Sequence, residues 1–596
     1  MFFDSRYFRR RSVLTGVLAG SVSLVAGLLA SVSVGLAQAP LAVDSPASAA
    51  LGAASASEGE RSDVVLKAMG DELARTMKSL KLPAYPLPYF GSFDVTDEQS
   101  MQITASFGAL SSRDVLRSRQ SDITLRVGDK RLDNSSMGAG LGMLSQRGSL
   151  VLEDNYDALR RDLWMQADRT YKQAVESLTS AKAQLKYVNI EDRPDSFSDA
   201  KPVVSIGKGV TMDADLEQWS KRIRALSSVF KEFRTIRESS VVLNVRARTK
   251  RLVNSEGTIV KTGETGALVF VSAAAQSKDG MTISDGEVFA ADKDSELPSQ
   301  EAMESSIRRL CQRIEAMTAA PRAADYQGPV LFEKQAAGEL VATLLPSVVC
   351  ARGDTGFGSE EEQKLGKPVL ASSISVLDDP IVKSYKGKTL KSGWSIDYEG
   401  VETRPLRLVE KGVLKEVCST RTPSQLSKVS NGHNRGGSAS PGHLFLSSDA
   451  GVALSGLRQK LIEDGKKEGL DSVLIVRRTM PSFLGSGSSR TLDLIRFIGG
   501  RGSVFGPSVV YKVDVKTGKE ELIRGARIKT ISKKNLLTMQ AASDDADVYA
   551  VSYPTDRSAT TIGLVTPSVL LSDVEFAKPQ RTTELPPYLE NPYFEK

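Results

Sequence analysis

Long segments of helical periodicity stop before residue 320, and that change of character most restricts what this 596-residue chain can fold into. Val65, Met69, Leu73, Met77 and Leu80 recur at helical spacing until Pro83, Pro86 and Pro88 end the pattern. Leu159, Leu163, Ala167, Tyr171, Ala174 and Leu178 line a second helix. Leu216, Trp219, Ile223, Leu226, Phe230 and Phe233 line a third, and Met303, Ile307, Leu310, Ile314 and Met317 a fourth. Around them, apolar and polar residues alternate at Met101–Phe107, Ile123–Val127, Ser240–Arg248, Arg251–Val253, Thr258–Lys261 and Ala267–Ala273, the mark of strands with one buried face. Beyond a short helix over Glu333–Leu345 the segments shorten and glycine punctuates them. Leu406–Val409, Ser472–Arg477, Leu492–Ile498, Val509–Val515 and Val548–Ser552 read as strands, with one helix near Ala453–Gly465. These patterns predict an α+β protein, with an N-terminal α/β domain over 61–320 and a β-rich C-terminal domain over 325–596.

The N-terminus carries a different message. Arg6, Arg9, Arg10 and Arg11 form a basic head, and no charge follows until Asp44. The intervening apolar run closes on Ala37-Gln38-Ala39, so residues 1–39 read as a secretory signal. Arg10-Arg11-Ser12-Val13-Leu14 fits its twin-arginine form. Residues 40–60, rich in Ala and Ser, then form a flexible linker. The chain is expected in the periplasm or secreted, or held by an uncleaved N-terminal anchor. The formal net charge of +6 includes the signal's arginines, so the mature chain is close to neutral. No basic stripe interleaved with aromatics stands out, and neither nucleic acid nor a membrane beyond the signal is expected as a partner.

Chemistry is limited by histidine. There are two, His433 and His443, both in the Gly/Ser/Pro-rich stretch 431–443. A zinc-peptidase helix supplies two histidines on adjacent turns with a glutamate between, and no helix here has such a pair. His433 and His443 could bind a metal with an Asp or Cys from elsewhere, but they are expected to be ordinary loop histidines. No G-x-S-x-G elbow accompanies them. Gly138–Gly142 and Gly499–Gly506 lack the setting of a phosphate cradle and are assigned to turns. Asp378-Asp379 and Asp544-Asp545 are expected to be solvated turns. Cys311, Cys350 and Cys418 exclude a CxxC site and a disulfide scaffold; buried thiols are expected, with one bridge as the alternative. The residues alone name no catalytic centre.

Several segments, in order along the chain, resemble the TldD/PmbA family and its exported bacterial branch. They include Ala105-Ser-Phe-Gly-Ala-Leu110, Tyr326-Gln-Gly-Pro-Val-Leu-Phe-Glu-Lys-Gln-Ala-Ala-Gly-Glu-Leu340, Asp397-Tyr-Glu-Gly400, Ser430-Asn-Gly-His-Asn-Arg435 and Thr566-Pro-Ser-Val-Leu-Leu571. The resemblance implies a two-domain metallopeptidase fold. It also implies a His-Glu-x-x-x-His helix and a later Cys ligand in the active member, and a metal-free companion in a heterodimer around a peptide cleft. Aligned on the Pro-Val-Leu-Phe strand, the metal-helix positions here are Glu333, Lys334 and Gly338, which cannot rebuild that site; Cys350 or Cys418 alone cannot close it. The resemblance thus implies a non-catalytic subunit with no cofactor of its own, zinc being expected in a metal-bearing TldD-like paralogue. Asn431, His433, Asn434 and Arg435 become candidates for a peptide-cleft wall. An active peptidase with another site, or a stand-alone or homodimeric peptide-binding protein, are the alternatives.

Overall fold

The computed structural model describes residues 63–136, 145–187, 193–351, 365–480, 506–554, 559–579, 587 and 589–595. The signal, the linker, the two glycine-rich stretches (apart from Gly506) and the strand expected over Leu492–Ile498 lie outside them. Strand β1 (Phe90–Ser106), β2 (Ala109–Arg126), β3 (Ser145–Ser149), β4 (Val204–Ile206), β5 (Ile236–Asn254), β6 (Ile259–Gln276) and β7 (Thr282–Ala291) make one seven-stranded sheet. Its order is β3-β2-β1-β5-β6-β4, with β7 also on β6. The strand segments expected at 240–248 and 251–253 are one continuous strand, as are those at 258–261 and 267–273. The reason is that β5 and β6 pair residue for residue through their charged middles, from Val253↔Ile259 to Ser239↔Ala273.

Over much of their length these strands are two-faced. On β1, Phe93, Val95, Met101, Ile103 and Ala105 are buried; on β5, Val241, Leu243, Val245, Ala247 and Val253 are. All are odd-numbered and share one face, because successive strand residues alternate sides. Four helices cover that face. At one end lie α1 (Val64–Ser79) and α2 (Tyr156–Gln184), which pack Leu73, Leu163 and Tyr171 against Phe93 and Ile123. At the other lie α3 (Leu216–Ser228) and α4 (Gln300–Ala319), whose Ile223, Ile307 and Leu310 meet Ile103 and Val269. The even-numbered face keeps Asp94, Thr96, Glu98, Arg246, Arg248 and Lys250, and so cannot be core.

The second half builds two further large sheets around a helix, beside two short two-stranded pairs, Ser384–Tyr385 with Lys388–Thr389 and Asn434–Arg435 with Ser438–Ala439. Strand β8 (Tyr326–Phe332) leads into α5 (Lys334–Leu344), followed by β9 (Ile374–Asp378), β10 (Leu406–Glu410), β11 (His443–Ser448), α6 (Leu454–Lys467), β12 (Ser472–Thr479), β13 (Pro507–Asp514), β14 (Asp547–Pro554), β15 (Ala559–Thr566) and β16 (Val569–Ala577). One sheet has the order Val413–Leu414, β10, β9, β11, β15, β14; the other runs Glu520–Ile523, β13, β12, β8, β16, Arg527–Thr530, with Met539–Ala542 on β16. Helix α5 is buried between them. Ala336, Ala337, Leu340 and Val341 pack with Phe332 and Val476 of one sheet and Leu444 and Leu564 of the other. Helix α6 covers the outer face, setting Leu457 and Leu461 on Leu331, Val473 and Leu570.

Candidate functional site

The polar face of the first sheet is partly covered by the second half of the chain. Between them lies a cavity of about 780 Å³, floored by Asp94, Arg246, Arg248, Lys250 and Glu264 and roofed by residues 380–383, 389–390, 392–398 and 435–436. A second cavity of about 250 Å³ adjoins the same strands and takes in Thr96, Glu98, Arg421 and Asn434. The larger volume lies within the range of ligand sites in proteins.

Charge and aromatic rings meet at its centre. The Arg435 guanidinium stands 4.1 Å from the Tyr398 ring centre and 4.6 Å from that of Trp394, and Lys250 Nζ lies 2.9 Å from the Tyr398 ring. These cation–π contacts fix two cations at the mouth of the floor without neutralising them. Glu264 faces Arg435 at 3.5 Å. Burial works to raise its carboxyl, but Arg435, Lys250, Arg248 and Arg246 hold it below the usual carboxylate range. Asp397 behaves oppositely. Burial, with Glu399 beside it, pushes its carboxyl up to about 7, against backbone N–H donors from Val401, Asn434 and Glu399. Up to that pH the cleft is therefore more positive than its residue count implies.

Sequence reasoning singled out Asn431, His433, Asn434 and Arg435 as cleft wall, and the structure separates them. Arg435 reaches the larger cavity and Asn434 the smaller. Asn431 and His433 line neither. Asn431 is a brace: its amide nitrogen donates to Val417 C=O (2.8 Å) and its oxygen accepts from Ser419 N–H (2.9 Å). His433 is fully buried, so the expectation of an ordinary loop histidine is corrected. The loop turns inward at Gly432, where φ is +80° and a Cβ would lie 2.5 Å from Glu402 O; only glycine combines that backbone with that approach. Trp394 Nε1 then donates to Gly432 C=O at 3.0 Å. His443 is wedged between Gly393 and Gly563, its Nε2 3.0 Å from Lys391 O.

The inward turn brings His433 to two residues from elsewhere in the sequence. Its Nε2 lies 3.2 Å from Asp378 Oδ2, and Cys418 Sγ lies 3.6 Å from the same oxygen. Asp378 is therefore not the solvated turn residue expected, since the end of β9 runs into the core. Cys311, Cys350 and Cys418 are all buried free thiols. Burial pushes the Cys311 thiol up to about 12.

Helix α5 begins at the residues that the resemblance aligned with a metal helix, and the surroundings of Glu333, Lys334 and Gly338 do not fit a zinc ion. Glu333, 5% exposed, is already held by Arg458, whose Nη2 is 2.7 Å from Oε1, and by Arg477, whose Nε is 3.3 Å from Oε2. Two guanidiniums on one carboxylate repel a divalent cation. Lys334 starts the helix with a positive φ of 45° and donates its N–H to Ser568 Oγ at 3.1 Å. Gly338 lies under the Tyr549 ring, where a Cβ would sit 3.2 Å from the ring carbons. The remaining cleft residues escaped sequence reasoning. The available signal was the Arg246-x-Arg248-x-Lys250 alternation in a strand whose other face is apolar: charges at that period mark a sheet face turned toward something other than a core.

Comparison with known proteins agrees with this architecture. Residues 325–471 match the PmbA/TldA metallopeptidase C-terminal domain. No curated protein matches the sequence. Among solved structures, TldE from Thermococcus kodakarensis superposes with a TM-score of 0.53 at 13% identity, over 86% of this chain and 100% of that one. A protein of Thermotoga maritima, described as a proposed modulator of a DNA gyrase, gives 0.52 at 16% identity, over 82% of this chain and 96% of its own. A Bacteroides thetaiotaomicron protein, described likewise as a proposed modulator of DNA gyrase, gives 0.52 at 11% identity, over 88% and 99%. At these identities the structures establish the shared fold over most of the chain, and the match over 325–471 marks that segment as a domain of the PmbA/TldA C-terminal type.

Proposed function

We propose that this chain is a non-catalytic subunit of a PmbA/TldD-type metallopeptidase assembly and holds extended, carboxylate-bearing peptides in its charged cleft. The observation that carries the reading is the fate of α5. The cleft is kept, while the metal-helix positions are taken by an ion-paired Glu333, a Lys334 and a Gly338 packed on Tyr549. Water activation by a metallopeptidase needs a Lewis acid with an open position, and α5 offers none. Positioning an extended chain needs only shape, backbone edges and charge, which Arg246, Arg248, Lys250 and Arg435 supply. In this reading the zinc belongs to a paralogous partner bearing the intact His-Glu-x-x-x-His helix. The site of action is the cell envelope, reached through the signal carrying Arg10 and Arg11.

The test is reconstitution. The purified chain alone should cleave no unstructured peptide in a chelator-sensitive way, and should raise or redirect cleavage by a motif-bearing paralogue. Robust turnover by the chain alone, abolished by a point change within it, overturns the proposal. For the location, Arg10→Lys with Arg11→Lys should block export; normal export of that double variant removes the twin-arginine route.

A further inference from the structure

Outside the cleft, among the described residues, one cluster of metal-type donors converges in the core: Asp378, Cys418 and His433, whose ligand atoms all lie within 4.8 Å of one another. None of the three belongs to α5. Asp378 closes β9, Cys418 lies in the segment following Val413–Leu414, and His433 comes from the loop braced by Asn431. All three side chains are 0% exposed.

His433 shows what such a cluster lacks. Its Nδ1 lies 3.0 Å from the Asn431 carbonyl, which can only accept, so Nδ1 carries the hydrogen of the neutral ring. That leaves Nε2 as a lone pair, fully buried and with no aligned hydrogen-bond partner, pointing at a carboxylate oxygen and a thiol. A buried lone pair facing a carboxylate is unfavourable unless a cation or proton stands between them. The spacing discriminates. With zinc–ligand bonds of about 2.0–2.3 Å at tetrahedral angles, N···O and S···O separations are about 3.3 and about 3.5 Å. The observed separations are 3.2 and 3.6 Å.

The surroundings match the supports that metal ligands need. Asp378 accepts the Gly442 N–H on both oxygens, each at 3.0 Å. The Asn431 carbonyl fixes the imidazole tautomer, and the Asn431 amide clamps the backbone on both sides of Cys418. Such outer contacts orient the first ligands and raise their basicity. We propose that Asp378, Cys418 and His433 form a site for one divalent cation of the zinc class, structural in role and distinct from the metal-helix position of the family. Binding exchanges the Cys418 thiol proton for the ion, and the proton leaves to solvent. The site would fasten the end of β9, the Cys418 segment and the loop that delivers Arg435, two residues beyond His433, to the cleft.

The full chain, grown with added zinc, purified without chelator and dialysed, should retain about one zinc per chain by elemental analysis. Loaded with cobalt(II) instead, it should show a thiolate-to-metal charge-transfer band. Cys418→Ser should remove that band and weaken binding at least about tenfold, whereas Cys311→Ser, in the other core, should leave both unchanged. Because Cys418→Ser could fail to fold, the wild-type chain is also denatured in chelator and refolded with and without zinc; zinc should raise its melting temperature. Absence of retained metal, a charge-transfer band that survives in Cys418→Ser, or identical melting with and without zinc each overturns the site.

Discussion

Arg421 reaches from the second half of the chain into the first and grips Glu256 with both terminal nitrogens, Nη1 2.6 Å from Oε2 and Nη2 2.9 Å from Oε1. Its Nε and Nη2 also donate to Ser198 C=O, at 3.1 and 2.8 Å, and its plane lies 4.0 Å from the Phe197 ring. At 1% exposure it is among the largest fully buried side chains described. One residue thus fixes the roof of the cleft to its floor. Removing it strands Glu256 and opens a cavity, so Arg421→Ala should cost about 3–5 kcal/mol. Chemical denaturation checks this against Arg308→Ala, whose exposed pair with Glu232 should leave the midpoint in place.

Gly338 sets a limit on building a metal-binding helix into α5. A side chain there meets the Tyr549 ring in a filled layer between two sheets. Gly338→Ala should destabilise by about 1–3 kcal/mol, by overpacking. Glu333→His, Lys334→Glu and Gly338→His together should yield a misfolded or metal-free chain rather than a peptidase. Thermal melting and elemental analysis of the purified variants decide it.

Arg435 is the cleft cation set against two rings, those of Trp394 and Tyr398, with Glu264 facing it at 3.5 Å. Arg435→Ala should weaken binding of an acidic, unstructured peptide about tenfold, the loss expected for one charge-assisted hydrogen bond. The fold should be retained. Titration calorimetry at two salt concentrations checks it, since the wild-type affinity should fall with salt more steeply than the variant's.

Asp397 makes stability depend on pH in an unusual direction. Its carboxyl titrates near 7 in the folded chain but near the ordinary 3.8 when unfolded. Between those values the folded chain keeps a proton that the unfolded chain has released. This group's contribution is therefore fully present below about pH 4 and is lost as pH rises toward 7, at up to about 1.4 kcal/mol per unit. Denaturation midpoints of wild type and Asp397→Asn, compared from pH 4.5 to 7.5, should converge or cross with a slope difference of that sign. Parallel curves would remove the claim.

The sequence by itself determined the helices of the first half, because apolar residues at i, i+3, i+4 and i+7 leave a chain few other ways to bury them. It also determined that α5 lacks a His-Glu-x-x-x-His pattern, since its residues 333–338 read Glu-Lys-Gln-Ala-Ala-Gly. Strand lengths were less legible: residues 249–250 read as a break between two strands, yet β5 runs through them because Lys250 faces the cleft while Ala247 and Val253 on either side face the core. The two cavities and the metal-type cluster were decided by tertiary structure alone. Asp378 and Cys418 lie 40 residues apart and Cys418 and His433 15, and no local pattern encodes their meeting. It depends on the end of β9 entering the core, on Asn431 clamping the Cys418 segment, and on Gly432 turning the loop where any other residue would strike Glu402. Periodicity reports which face of an element is buried; only long-range packing reports what that face is buried against.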